Sequence, residues 1–314
     1  MKSEIMTYHH TPVLLNEVIS GLNPQPGQNF IDGTVGGGGH TQALLAATAP
    51  NGHVWAFDRD AAALASTRQR LQSFSHRLTL IHDSYSQLAN YVRSADIPHL
   101  DGVLLDLGLS SNQLADTTRG FSFQTDGILD LRFDTSQGIT AADVLNTYPI
   151  GELEELFRDY GQEPQARALA QAIVTSRQTR PFVKTHDLLE IVAQVKGAGQ
   201  RRHHPATLVW QALRLAVNHE LGELVKGLEA ALEVLSPGGR LAVISFHSGE
   251  DRIVKDFFRR SSRNCICPPE IPVCRCDHKA SLKILNNKPM MAQADELKSN
   301  PRARSARLRI IQKI

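Results

Sequence analysis

The sequence predicts an α/β fold, a parallel sheet interrupted by a helical insertion, and three observations carry that prediction. Short apolar runs recur at Phe30–Ile31, Val54–Phe57, Leu78–Ile81, Val103–Leu107 and Leu241–Phe246, most of them closing on an acid or another polar residue. Helix-like stretches such as Ala61–Leu71 separate the first four, the alternation that builds right-handed crossovers. The interval from about Asn112 to Leu235 is too long for one crossover, and its periodicity is helical.

The first strand runs into DGTVGGGGH, Asp32 to His40, followed by the helix-like TQALLAA. Gly33 and Gly36–Gly39 let backbone amides approach a ligand that side chains would obstruct. The second strand-like run, His53–Phe57, ends in Asp58, a carboxylate suited to accepting hydrogen bonds from both hydroxyls of a ribose. The phosphate-binding pattern G-x-G-x-x-G is missing, because the position that should follow Gly36 and Gly38 as its third glycine is Thr41. Asp32, on the strand end itself, would repel a pyrophosphate and attract the ammonium of a methionine-like group. This pattern disfavours a dinucleotide, and with it an NAD-dependent oxidoreductase. It fits S-adenosyl-L-methionine, and Asp58 at the right distance argues against an ordinary strand-to-helix loop.

The third strand leads to Asp83 and Tyr85. The fourth lies in VLLDLGLSS, Val103 to Ser111, with Asp106 at its end and Ser110 and Ser111 beyond. Parallel strands open their carboxyl ends on one edge, so Asp32, Asp58, Asp83 with Tyr85, and Asp106 are expected together. Within the insertion, Leu153, Leu156, Phe157 and Tyr160 form a stripe that stops at Gly161, and Ala166, Leu169, Ala170, Ile173 and Val174 form another before Pro181. Thr185 is a candidate cap for a third helix, with Leu188, Ile191, Val192 and Val195 as its stripe and Gly197 and Gly199 at its end. Ala206–Leu235 reads as a helical stretch returning through Ser236–Gly239 to the fifth strand, and Ala306–Ile311 suits a final strand at an antiparallel edge.

With 41% hydrophobic and 21% charged residues among 314, the chain can bury a full core and hold two domains. Lys and Arg number 34 against 32 Asp and Glu, so the net charge of +2 says little about partners. Distribution says more: Lys298, Arg302, Arg304, Arg307, Arg309 and Lys313 form a C-terminal run without acids, and Arg201, Arg202, His203 and His204 form a second cluster. Either can face phosphates or be a solvated face. No signal-peptide core opens the chain and no apolar run of about 18 residues is present to span a bilayer, so a cytoplasmic protein without membrane contact is expected.

The four cysteines, Cys265, Cys267, Cys274 and Cys276, all fall in CICPPEIPVCRC. Two C-x-C pairs across a proline-stiffened loop could present four thiolates to zinc, with His278 nearby. Structural zinc usually takes C-x2-C, so a reduced, metal-free loop is the preferred expectation.

Three further features bear on chemistry. Asp106 can accept a hydrogen bond from a reacting group or hold the cofactor. FHSGEDR, Phe246 to Arg252, puts His247, Ser248 and Asp251 at the same edge, where His247 is either a structural or substrate contact or a proton acceptor. RGFSFQTDGILDLRFD, Arg119 to Asp134, mixes Phe121, Phe123 and Phe133 with Arg119 and Arg132, as a clamp for an unpaired base or as a lid that only packs the insertion.

HTPVLLNEV, DGTVGGGGH, DLGLSS followed by Gln113, RGFSF, LDLRFD, HPATLVWQALRLAVNHEL, FHSGEDR and NPRARSARLR occur in this order over nearly the whole chain. Together they resemble the bacterial 16S rRNA cytosine-N4 methyltransferase family, of the MraW or RsmH type. The resemblance implies a class I, Rossmann-like S-adenosylmethionine-dependent methyltransferase sheet with an inserted helical domain. The methyltransferase core would comprise 1–114 and 213–314, the latter with a basic C-terminal segment, and the substrate-recognition insertion 115–212. It further implies methyl transfer to the N4 of a cytosine in the decoding centre (P site) of 16S rRNA, within the small ribosomal subunit, while leaving the oligomeric state open.

By motif, Gly38, Gly39, His40, Asp58, Tyr85, Asp106 and Gln113 carry over as cofactor residues, with Tyr85 suited to adenine stacking. Asp106 and His247 are the catalytic candidates. Cytosine N4 is a poor nucleophile, its lone pair being delocalised into the ring, so transfer needs an acceptor for its N–H. The family's LDMRM is LDLRF here and its FHSLED is FHSGED, where Gly249 is expected to loosen the loop bearing His247. Alternatives to this function are a methyltransferase for another RNA or a protein, and a non-catalytic RNA-binding assembly factor.

Overall fold

A computed structural model of the chain describes residues 12–97, 99–197, 204–268, 270 and 273–314. They divide into two compact units, one running up to Gly108 and resuming at Glu223, the other Leu109–Gly222.

The first unit is built on β1 (Phe30–Asp32), β2 (Val54–Asp58), β3 (Leu78–His82), β4 (Gly102–Asp106), β5 (Arg240–Ser245), β6 (Leu282–Ile284) and β7 (Arg307–Lys313). Their order is β3-β2-β1-β4-β5-β7-β6, the Rossmann-like sheet expected, with β7 antiparallel to both neighbours. The order reverses between β1 and β4, which places a crevice at the carboxyl ends of these two strands. Its helices before the insertion are α1 (Leu15–Leu22), α2 (Gly39–Ala47), α3 (Ala61–Arg70) and α4 (Leu88–Ser94).

The second unit is helical, with α5 (Ser111–Ala115), α6 (Ala141–Thr147), α7 (Ile150–Asp159), α8 (Ala166–Ser176), α9 (Thr185–Lys196) and α10 (Thr207–Val217). Its core joins the predicted stripes, Leu153, Phe157, Leu169 and Ile173 among them, to Trp210 and Leu213. Two details differ from the sequence reading. Thr185 does not cap α9. Lys184 is the cap residue, its amide held by Asp187 at 2.8 Å, while the Thr185 hydroxyl takes the Gly127 amide and donates to Thr125 O, both at 3.0 Å. The stretch 206–235 is two helices, because His219 adopts a left-handed φ of 52° after α10. Asn218 at this break spends its side chain on the preceding loop, accepting from Phe133 N at 2.8 Å and donating to Leu131 O at 2.7 Å. That hydrogen bonding holds Leu131 in its own left-handed conformation, φ 62°.

The chain returns through α11 (Glu220–Val234), within which the unit junction falls, and continues with α12 (Ser248–Ser261) and α13 (Ala294–Ser299). Strand side chains alternate between two cores, as a pleated sheet buried on both faces requires. Ile31, Val103, Leu105 and Val243 pack with Leu224 and Leu228 of α11. Phe30, Leu104, Ala242 and Ile244 pack with Val18 of α1 and Leu44 and Leu45 of α2. Among the described residues, no helix is long and apolar enough to cross a membrane.

Candidate active site

Asp32, Asp58 and Asp106 are the last residues of β1, β2 and β4. Asp32 is buried and bonded locally, receiving the Thr41 hydroxyl at 2.6 Å and the Thr34 amide at 3.1 Å. Burial outweighs those two donors and pushes its carboxyl up to about 6. Asp58 closes the next turn, with the Gly36 and Asp60 amides each 2.9 Å from one of its oxygens, and burial raises it likewise to about 6.

The glycine loop is clamped by α3. Thr67 Oγ1 donates to Gly36 O at 3.0 Å and Arg70 Nη1 to Gly37 O at 2.8 Å. Gly38 turns into α2 with φ 75°, and a Cβ there would stand 3.0 Å from Thr67 Cγ2, so both conformation and space call for glycine. His40, in the first turn of α2, is buried with Nε2 3.0 Å from Val13 O. Only a donor satisfies that carbonyl, which puts a proton on Nε2 and turns Nδ1 to Asp106 Oδ2, 3.6 Å away.

Asp106 is the least satisfied group of this rim. Its amide donates to Thr34 Oγ1 at 2.7 Å, yet its side-chain Oδ1 is buried without a hydrogen-bond partner among the described residues. Burial, with added repulsion from Asp32 and Glu250 and partial relief from Arg302, raises its carboxyl to about 7.

Tyr85 follows β3 on a single turn whose flanking hydroxyls, Ser84 and Ser86, donate to Glu223 Oε2 at 2.5 and 2.6 Å. Burial works against the Glu223 charge, but the two hydroxyls, with Arg59 and Lys226, hold its carboxyl below the usual range. The Tyr85 ring lies against Gly227 of α11, and neither Glu223 nor Gly227 was singled out from the sequence. A hydrophobic stripe on a helix with two glycines was their only signal.

His247 is the N-cap of α12. Its Nδ1 accepts the Glu250 amide at 3.3 Å while Glu250 Oε2 takes the amides of Phe246 and His247 at 2.8 and 3.2 Å. Nε2 lies 3.1 Å from Glu250 Oε1 but, buried, makes no hydrogen bond there. Gly249 belongs to the first turn of α12 rather than to a loosened loop, and a Cβ on it would sit 3.1 Å from His247 Nδ1. Asp251, expected beside His247 at the functional edge, is an ion-pair centre. Arg309 reaches it at 2.7 and 3.2 Å and Arg307 at 2.9 Å. Arg309 is therefore buried and committed, whereas Arg304 is exposed.

In the second unit Gln113 is buried and builds the cap of α5, its Oε1 accepting the Ser110 amide at 2.9 Å. Phe121 and Phe133 stack at 5.7 Å, Phe123 stacks on His204 at 4.6 Å, and Trp210 Nε1 donates to Gly120 O at 3.0 Å. Arg119 pairs with Asp116 and Arg132 with Asp130, each at 2.8 Å. Arg201, Arg202 and His203 lie outside the described residues.

Residues 7–314 match the MraW methylase family. The chain belongs to that family. It is 50% identical over 305 residues to the ribosomal RNA small subunit methyltransferase H of Thermomicrobium roseum, covering 97% of this chain and 94% of the relative. It is 46% identical to the protein of the same name from Heliobacterium mobile, covering 98% and 100%. A solved rRNA methylase from Clostridium thermocellum superposes with a TM-score of 0.46 at 14% identity, covering 97% and 99%.

As an MraW methylase, the chain uses S-adenosylmethionine as its methyl donor. The residues fit such a group, since three strand-end carboxylates, Asp32 buried and Asp58 and Asp106 partly so, the last with an oxygen unmatched among the described residues, form a rim that a cationic ligand relieves.

Proposed function

We propose that this MraW methylase transfers a methyl group to the N4 amine of a cytosine in the decoding centre (P site) of bacterial 16S rRNA, within the small ribosomal subunit. The observation that carries the reading is Asp106 Oδ1, a buried acceptor atom with no donor among the described residues. Support also comes from the full-length relatives named small subunit rRNA methyltransferases.

In this reading Asp58 accepts the ribose hydroxyls, Tyr85 faces the adenine, and Gly38, Gly39 and His40 shape the loop against the rest of the cofactor. Gln113 acts through the Ser110 turn that it caps. The cofactor, when bound, supplies an electrophilic methyl group on a positively charged sulfur. Asp106 Oδ1 accepts an N4–H bond, which orients the amine and returns electron density to its nitrogen. On taking up the methyl group N4 would become positive, and its proton would pass to Asp106, whose carboxyl near 7 could hold it and release it to water. His247 positions the start of α12 rather than carrying the proton, because its Nδ1 lone pair is engaged by the Glu250 amide. Unstacking the base costs a few kcal/mol, which phosphate contacts from exposed cations such as Arg304 offset.

The test is label transfer from methyl-labelled cofactor to small subunits from cells lacking the protein, followed by nuclease digestion and mass spectrometry. N4-methylcytidine at a decoding-centre position is expected. Label on the C5 of cytosine, in another RNA or in protein would overturn the assignment.

A further inference from the structure

The geometry points to a structural zinc site formed by Cys265, Cys267, Cys274 and Cys276 in the connection between α12 and β6. The four sulfurs all lie within 4.8 Å of one another, with Cys274 and Cys276 at 3.5 Å and Cys265 and Cys276 at 3.9 Å. A tetrahedral zinc with Zn–S bonds of about 2.3 Å separates its sulfurs by about 3.8 Å. The C-x-C spacing, unfavourable on paper, is no obstacle because the two pairs face each other across the intervening loop and each pair contributes one edge of the tetrahedron.

The backbone is arranged for thiolates. Ile266 N–H points at Cys276 Sγ and Cys267 N–H at Cys265 Sγ, both at 3.4 Å, and Arg275 N–H at Cys267 Sγ at 3.5 Å. Amides directed at sulfur stabilise the deprotonated ligand and fix its direction, as the outer shell of a metal site does. His278, the fifth candidate from the sequence, is not among the ligand atoms gathered with the four sulfurs, and its Nδ1 lies 2.9 Å from Arg263 O.

None of the described residues of this connection is buried. Its base is closed by Ser281 N to Ser261 O at 2.9 Å and Ala280 N to Asn264 Oδ1 at 3.1 Å, but beyond that the apolar Val273 is 68% exposed. A connection of this length between a helix and a strand is uncommon in a compact unit unless something staples it. The four cysteines are free thiols, so disulfides are not the staple. Hard cations such as magnesium are excluded by an all-thiolate set, which selects zinc among the common closed-shell ions.

The test uses the full-length protein purified under reducing conditions without chelator. About one zinc per chain is expected by elemental analysis. Replacing the zinc with cobalt should give the ligand-field bands of a tetrahedral thiolate complex, reversed by added zinc. The Cys274→Ser and Cys276→Ser variants should lose metal and cobalt bands while binding S-adenosylmethionine normally by calorimetry, since neither cysteine belongs to the cofactor rim. Roughly a tenth of an equivalent of zinc or less, together with no cobalt bands after reconstitution of the unaltered chain, would overturn the site. Zinc retained in a chain carrying both Cys274→Ser and Cys276→Ser would do so as well.

Discussion

The ring of Tyr85 rests on the bare backbone of Gly227. A Cβ at that position would stand 2.3 Å from Tyr85 Cδ2, too close for any side chain. The turn carrying Tyr85 is tied through Ser84 and Ser86 to Glu223, one turn earlier on the same helix. α11 thus sets the position of the aromatic group proposed to face adenine.

Gly227→Ala should therefore displace Tyr85, lowering stability by about 1–3 kcal/mol and weakening cofactor binding about tenfold, read by denaturant unfolding and calorimetry. Gly222→Ala is the matched control, because it lies in the same helix with nothing within 4 Å of its Cβ. It should be neutral, or stabilising by up to about 1 kcal/mol. Equal effects at both positions would show that helix propensity, not the Tyr85 contact, is being measured.

Asp106→Asn should abolish methyl transfer and yet stabilise the fold at neutral pH. The folded carboxyl near 7 lies above its ordinary value of 3.8, so the native state binds the extra proton and stability falls as pH rises between these values. The penalty is fully present above about 7 and absent below about 4. With the side chain 21% exposed, removing it should be worth on the order of 1–3 kcal/mol at pH 8 and nothing at pH 4, measured by urea unfolding. A gain that is independent of pH would contradict the shifted carboxyl.

Cofactor affinity should rise with pH between about 5 and 8. A cationic ligand favours the ionised rim, so binding pulls Asp32, Asp58 and Asp106 down from about 6, 6 and 7 and releases protons near neutrality. Calorimetry in two buffers of different ionisation enthalpy counts those protons. Proton uptake, or affinity that falls with pH, would remove the cation from the rim.

The C-terminal arginines should separate into two kinds. Asp251→Asn leaves Arg309 buried beside a neutral partner and should destabilise by about 3 kcal/mol, as breaking a buried pair does. The arginines hold the Asp251 carboxyl low against its burial, so this contribution is present at neutral pH and lost in acid. Arg304→Ala should leave unfolding unchanged and reduce the salt dependence of RNA binding by about one counterion. An unaltered salt slope would take Arg304 out of the RNA footprint.

All the strands but the short edge strand β6 and most of the insertion's helices were legible because burial writes its period into the chain. Leu104 faces one core while Val103 and Leu105 face the other, and the stripe of Leu153, Leu156 and Phe157 closes on the second unit's core. The ends of β1, β2 and β4 at Asp32, Asp58 and Asp106 were legible for the same reason, since polarity marks where a buried strand stops. The break at Asn218 and His219 was not. It is a backbone choice at polar residues that rest on distant carbonyls and amides, and no local propensity records it.

The sequence by itself determined most of the strands, the glycine loop, the acids of the rim and the family, because each is a local pattern or a run of linked motifs. Tertiary structure alone decided how identical side chains divide their work. Arg309 is an internal cation because it lands on Asp251, fifty-eight residues away, and Arg304 is not. Gly227 matters because Tyr85 arrives there from another element, and the four thiols become a candidate metal site because a loop closes on itself. Each depends on a distance between residues far apart in the chain, and one-dimensional spacing carries no record of it.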